Sequence, residues 1–179
     1  MRRARTAPGA LLISLLVLSG CGWISSSSSK SPAEACPSAV ILRPLAQTAV
    51  FGLAPERRPD NVAFYGILSE ADLKCEYAAD AMRMTLDVVV AAERGPAAKG
   101  DSVDFQYVIA VTTPDQSILY YKRLPLRIVF DTPQKRVAIN DHIEDRVPLG
   151  GRKGIDLTVN LGFQQSPEAV DFYKRFRGR

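Results

Sequence analysis

The sequence predicts a mainly β protein, an antiparallel β-sandwich of immunoglobulin-like or fibronectin-like type with one short C-terminal helix. Three observations support this prediction. Apolar and polar residues alternate along four long segments, turn-forming residues separate these segments, and no long helical pattern lies between them. The alternation predicts strands that each place one apolar face against a core.

Four long strands have the clearest alternation. They are predicted at residues 82–90, 103–111, 124–130 and 155–163. Shorter strands are predicted at residues 39–42, 62–68 and 74–77. Pro125 lies inside one of the long strands and has no N–H to donate, so we expect that strand at a sheet edge.

The C-terminal end is the one segment with a helical pattern. Ser166 suits the N-cap position and Pro167 suits the first helical position. Cations gather at the end of this helix, at Lys174, Arg175, Arg177 and Arg179. Two interpretations stay open. The helix closes the sandwich, or its last turn contacts anionic envelope polymers or lipid head groups through Lys174, Arg175 and Arg177.

The first 20 residues have the pattern of an export signal. Arg2, Arg3 and Arg5 precede an apolar core at residues 10–18. A bilayer span needs about 20 apolar residues, whereas a signal-peptide core has about 7–15. The pattern therefore favours a removable signal over a transmembrane helix.

The residues at the end of this core resemble a known processing site. Leu18-Ser19-Gly20-Cys21 resembles the lipobox of bacterial lipoproteins. The resemblance implies that diacylglycerol is attached to the Cys21 sulfur and that the chain is cut between Gly20 and Cys21. The new amino terminus would then be acylated, for example with palmitate. Two or more fatty chains hold a protein stably on a membrane, so residues 1–20 are expected to be a signal peptide and Cys21 an anchor.

The residues after Cys21 bear on location. Gly22 stands where inner-membrane lipoproteins of enteric bacteria have Asp, so the resemblance implies the outer membrane of a bacterial envelope, facing the periplasm. Residues 21–35 contain the lipidated cysteine and a Ser-rich tether, whose flexible reach is roughly 20 Å.

Processing also changes the charge of the chain. Removal of Arg2, Arg3 and Arg5 lowers the basic count from 23 to 20 against 19 acidic residues, so the net charge falls from +4 to +1. Without a basic excess, the mature chain is not expected to bind nucleic acid.

Cys36 and Cys75 are the cysteines left once Cys21 is lipidated. In an exported chain, such a pair predicts a disulfide. Free thiols or a redox pair are the alternatives, but no Cys-x-x-Cys spacing supports redox chemistry, and two cysteines alone cannot form a zinc site. Residues 36–179 are long enough for a single domain with its own core.

The sequence offers few residues that could carry out catalysis. His142 is the only histidine, and Asp141, Glu144 and Asp145 surround it. A serine hydrolase would need His142, yet no Gly-x-Ser-x-Gly turn occurs, and zinc normally takes more His or Cys ligands. We interpret this acidic segment as a solvated, turn-rich connection, and we expect no catalytic residue, metal or cofactor.

Two other sets of side chains allow a functional interpretation. Carboxylates that could form a glycosidase pair are Glu70 with Asp72 and Glu76 with Asp80, although polar turn residues explain them equally well. Tyr120 and Tyr121 are neighbours, and neighbouring side chains of a strand point to opposite faces. One of the two rings is therefore expected to be exposed and available for carbohydrate or protein contact.

The body also resembles, more loosely, small envelope lipoproteins of proteobacteria, through Cys36, Cys75 and the closing segment 157–175. No chemistry comes with this resemblance, so no functional residue is carried over. The leading hypothesis is a non-catalytic structural or protein-interaction module, anchored to the membrane and facing an envelope protein partner. A binding module for a lipid or saccharide ligand of unknown identity is the alternative, and an enzyme is the third hypothesis.

Overall fold

The computed structural model describes residues 35–176 and contains two four-stranded sheets and one C-terminal α-helix. The strands in chain order are β1 (Ser38–Ile41), β2 (Gln47–Phe51), β3 (Val62–Ala78), β4 (Ala81–Arg94), β5 (Ser102–Thr112), β6 (Ile118–Val129), β7 (Arg136–Pro148) and β8 (Thr158–Phe163). Helix α1 (Pro167–Arg175) follows β8. The predicted mainly β class, the sandwich and the C-terminal helix are confirmed.

The core lies between the two sheets, where the alternating apolar residues meet. Fully buried examples are Met82, Met84, Leu86 and Val88 of β4 and Tyr107, Ile109 and Val111 of β5. Burial of one large apolar side chain contributes about 1.5–3 kcal/mol. The period-two pattern that predicts the strands is therefore also the main source of their stability.

The first sheet has the order β1-β8-β5-β6 and the second has the order β2-β3-β4-β7. Neighbouring strands are antiparallel except β1 and β8, which are parallel. This is not the immunoglobulin order, in which the first, second, fifth and fourth strands share one sheet. Here β2, β3 and β4 form a meander, and β7 then pairs with β4.

Strand β3 is a single strand of 17 residues, whereas the alternation predicts two short ones. The reason is a β-bulge, because the register with β4 shifts between Leu68 and Glu70. One extra residue reverses which side chains face the core. Phe64 and Leu68 face inward before the bulge, and Leu73 and Cys75 face inward after it.

The prediction of a turn-rich connection around His142 is wrong, because this segment belongs to β7 and pairs with β4 along its length. Ile143 and Val147 face the core, as the inward positions of a strand should. Asp141 and Asp145 occupy inward positions too. Because these two inward positions carry charged instead of apolar residues, the alternation in the sequence is broken and does not indicate a strand.

Two other strands differ slightly from the prediction, and a third agrees with it. Strand β2 is not predicted at all, since its five residues are too few for a clear alternation. Strand β8 begins at Thr158, because Gly154–Asp156 forms a 3-10 turn. Strand β6 is the last strand of the first sheet, so the edge position predicted from Pro125 is confirmed.

A disulfide joins Cys36 to Cys75, with Cα atoms 5.7 Å apart, as predicted. Beside it, Tyr77 Oη donates a hydrogen bond to the carbonyl oxygen of Ala35 at 2.7 Å. Both contacts hold the segment before β1 against the C-terminal half of β3. The bridge closes a loop of about 40 residues. By limiting the conformations of the unfolded chain, a loop of this length should stabilise the fold by roughly 4 kcal/mol.

Helix α1 begins as predicted, with Pro167 at its start and the Ser166 side chain accepting a hydrogen bond from the Ala169 N–H at 3.2 Å. Its Phe172 is buried, and the ring centroid lies 5.4 Å from that of Phe51 in β2. The helix thus covers an edge strand of the second sheet. Between residues 35 and 176, no helix has the length and apolar character needed to cross a bilayer.

Candidate binding groove

An open groove of about 890 Å³ lies between α1 and the outer face of the second sheet. Tyr65 and Ile67 line its sheet side, because the alternate residues Phe64 and Leu68 face the core. Its apolar lining comes from Pro44, Leu45, Ile67, Val170, Phe172 and Phe176. Polar side chains in the lining are Arg43, Gln47, Glu93, Gln165 and Lys174. The volume falls in the range of small-molecule sites, about 300–1,000 Å³.

Hydrogen bonds from the C-terminal segment hold the helix wall of the groove in place. Gln165 Nε2 donates to the carbonyl oxygen of Gln47 at 2.5 Å and to that of Pro44 at 3.1 Å. Tyr173 Oη donates to the carbonyl oxygen of Thr48 at 3.1 Å. Burial and the neighbouring Tyr65 raise the pKa of Tyr173 to about 12. The Tyr173 hydroxyl is therefore a donor throughout the neutral pH range, and its bond and those of Gln165 hold the C-terminal segment against Pro44, Gln47 and Thr48.

A close backbone approach positions the turn at the mouth of the groove. A Cβ atom on Gly162 would lie 2.6 Å from Leu45 Cβ, closer than side chains allow. Glycine at this position lets the 3-10 turn Arg43–Leu45 rest directly on β8. Leu45 and Arg43 thereby reach the groove.

Of the charged side chains in the lining, one forms an ion pair and two do not. Lys174 Nζ lies 3.6 Å from Asp171 Oδ1. The Arg43 and Glu93 side chains form no hydrogen bond or ion pair with any residue between 35 and 176. Arg43 is exposed, so its guanidinium is free to meet an anion entering from solvent.

At the opposite edge of the sandwich, inward-facing side chains of β5, β6 and β7 form a polar cluster. The β6–β7 cluster consists of Tyr107, Tyr120, Lys122, Asp141 and Asp145. Tyr107 Oη donates to Asp141 Oδ2 at 2.6 Å. Tyr120 Oη donates to Asp145 Oδ2, and Lys122 Nζ lies 2.5 Å from the same oxygen.

The electrostatics of the β6–β7 cluster are those of a structural network. Burial, with the adjacent carboxylates, raises the pKa of Tyr107 and of Tyr120 far above the ordinary value of 10.0. Burial alone would raise the pKa of Asp145, but hydrogen bonds from Lys122 and Tyr120 outweigh it and hold that pKa below its usual value. Inward-pointing charges on edge strands discourage pairing with another chain. Among the described residues, no buried side-chain nitrogen or oxygen lacks a hydrogen-bond partner.

The acidic residues around His142 do not come together as a site. Strand alternation separates them, with Asp141 and Asp145 facing inward and His142 and Glu144 facing outward. His142 Nδ1 lies 2.8 Å from Asp87 Oδ1, and Nε2 lies 3.5 Å from Glu144 Oε1. Within residues 35–176 no hydroxyl or thiol hydrogen-bonds to the ring, and no group of three His, Cys, Asp or Glu side chains could hold a metal ion.

The remaining predicted site residues fall in several places. Tyr121 is exposed to 47% while Tyr120 faces inward, so the expected separation of the two rings is observed. Lys174 lines the groove, and Arg175 is exposed beside it. The glycosidase candidates Glu70, Asp72, Glu76 and Asp80 are all exposed. Gly20, Cys21 and Arg177 lie outside the described residues.

The groove itself was not visible in the sequence. Arg43, Ile67 and Phe172 come from three distant parts of the chain, and only the fold brings them together. The one local signal is the C-terminal helix, whose aromatic residues indicate that it docks on something. No protein-family model matches this sequence, and the search of curated proteins and the search of solved structures each return no match.

Proposed function

We propose that this protein is a bacterial envelope lipoprotein, anchored through Cys21 and facing the periplasm, that acts as a non-catalytic interaction module. The groove beside α1 is its contact site. The single observation that carries this proposal is an open, largely apolar groove with an unpaired cation, Arg43, in its lining. Lys174 belongs to the same lining, and Arg175 follows it in the last turn of the helix.

The anchor part of the proposal is supported by the lipobox-like residues and by the disulfide. Disulfides persist in oxidising compartments such as the periplasm, and Cys36–Cys75 leaves Cys21 as the one cysteine available for lipid attachment. Absence of Asp after Cys21 favours the outer membrane. Feeding cells labelled palmitate should label the wild type and leave the Cys21→Ser variant unlabelled, while the intact mass should place the mature amino terminus at Cys21. Labelling elsewhere, with residues 1–20 retained, would contradict the anchor.

A protein partner and a lipid or saccharide ligand are the two candidate occupants. A partner that adds a strand would need a free sheet edge. Charged side chains of the β6–β7 cluster lie at one pair of edges, and Gln165 and Tyr173 bind carbonyls of the edge strand β2, which leaves β1 as the remaining edge strand. The apolar walls favour a small lipid-like ligand. The structure therefore gives the ligand hypothesis its stronger physical argument.

The groove is tested by filling it. Val170→Trp adds a ring inside the groove, and Glu76→Trp adds the same ring on the exposed outer face of β3 as a matched control. Full-length proteins would be extracted from native membranes in polymer-bounded lipid particles, and mass spectrometry would identify what copurifies. We expect at least one molecule to copurify with the wild type and with Glu76→Trp but not with Val170→Trp. Identical contents in all three would overturn the groove as the contact site.

A further inference from the structure

The groove lining combines an apolar surface with a few charged side chains. They are two cations, Arg43 and Lys174, and one carboxylate, Glu93. Lys174 forms an ion pair with Asp171, whereas Arg43 has no partner among the described residues. The Arg43 guanidinium is therefore the cation that one monoanionic head group can bind.

We propose that the groove binds one long-chain fatty acid, with its carboxylate at Arg43 and its acyl chain along Leu45, Ile67, Val170 and Phe176. The proposal rests on the function proposed above, that the groove is the binding site of the module. Apolar walls remove the chain from water, and a guanidinium binds a carboxylate through two parallel hydrogen bonds.

The polar atoms of the lining argue against a saccharide. A sugar needs several free donors and acceptors close together. The Gln165 amide N–H groups and the Tyr173 hydroxyl already bind the backbone carbonyls of Pro44, Gln47 and Thr48. Displacing them would leave those carbonyls unpaired, which is costly. The unpaired polar side chains Arg43 and Glu93 are exposed to solvent. The lining therefore suits a ligand with one polar end and a long apolar part.

The test uses the full-length protein in washed envelope membranes and a photoactivatable palmitate carrying a diazirine and an alkyne. After irradiation and digestion, we expect the label on peptides that contain Leu45 or Val170, and unlabelled palmitate should compete for it. The alcohol of the same chain should label these peptides about tenfold less, because it lacks the charge that Arg43 binds. Ultraviolet dependence separates this label from any acylation of Cys21.

Charge reversal provides the matched comparison. Arg43→Glu should lower groove labelling about tenfold, whereas Arg83→Glu, the same change on the exposed outer face of β4, should leave it unchanged. Both positions are exposed, so both variants should fold and keep the Cys36–Cys75 disulfide. Equal labelling by acid and alcohol, or by both variants, would overturn the fatty-acid proposal. Copurification that Val170→Trp abolishes, without palmitate labelling, would overturn it as well and leave the interaction module standing.

Discussion

Helix α1 covers the edge strand β2 through an apolar contact centred on Phe172, whereas hydrogen-bonded and charged side chains close the edge between β6 and β7. The helix leaves an apolar groove open to solvent at its edge. The side chains of the β6–β7 cluster fill the space at the other edge and form hydrogen bonds and an ion pair with one another. Both protect a sheet edge from pairing with other chains. Only the helix edge offers a surface that a ligand can use.

The largest effect should come from breaking the helix edge. Phe172→Ala removes a buried ring that contacts Phe51, Tyr173 and Phe176, and it should cost about 3–5 kcal/mol of unfolding free energy. Denaturant unfolding of the full-length protein measures this loss. Phe176→Ala, at the half-buried residue that follows the helix, should cost clearly less. Equal losses would mean that Phe172 does not anchor the helix.

The β6–β7 edge should be broken next by Asp145→Ala. This change leaves Lys122 and Tyr120 without their shared acceptor in a partly buried place, and it should cost about 1–3 kcal/mol. Hydrogen exchange should accelerate in β6 and β7 and stay unchanged in α1. Asp104→Ala, which breaks the exposed pair with Arg127, should cost less than about 1 kcal/mol. If both variants lose the same stability, the cluster does not close this edge.

The contribution of the β6–β7 cluster can also be tested at a single group, the Tyr107 hydroxyl. Tyr107→Phe keeps the buried ring but removes the hydrogen bond to Asp141, so we expect a loss of about 1 kcal/mol. The matched change at an exposed ring, Tyr121→Phe, should stay within about 0.5 kcal/mol of the wild type. Thermal unfolding of the two variants measures the difference. If Tyr107→Phe is as stable as the wild type, the hydrogen bond to Asp141 adds no net stability over the bonds that the hydroxyl makes with water in the unfolded chain.

The smallest effect concerns pH and the pair of His142 on β7 with Asp87 on the neighbouring strand β4, on the outer face of the second sheet. Hydrogen bonds to Asp87 and Glu144 raise the pKa of His142 above its ordinary 6.5, and the bond from His142 lowers the pKa of Asp87 below its ordinary 3.8. Stability from the histidine is complete below pH 6.5 and is lost as pH rises through its raised pKa. Stability from Asp87 is complete above pH 3.8 and is lost as pH falls through its lowered pKa.

The pair should therefore contribute most between pH 3.8 and 6.5, and the deficit of His142→Gln in unfolding free energy should shrink above that window. Unfolding measured across this range at low salt tests the sign. A deficit that grows with rising pH would contradict the pairing.

What the sequence predicts correctly is what depends on neighbouring residues. Alternation indicates β4, β5 and β6, and Ser166-Pro167 indicates the start of α1, because each signal is local. The full length of β3 is missed because the bulge after Leu68 reverses the alternation, and β7 is missed because Asp141 and Asp145 face the core side. The groove depends on where the helix docks, which no local pattern contains.

The central claim is that the helix edge, and not the β6–β7 edge, is the working surface of the protein. The most direct measurement places an aliphatic diazirine amino acid, close in size to leucine so that it does not fill the groove, at Val170 beside the groove or at Arg123 on β6, in the full-length protein in living cells. We predict that irradiation attaches an envelope molecule at Val170 and none at Arg123. Adducts at Arg123, with none at Val170, would contradict the account.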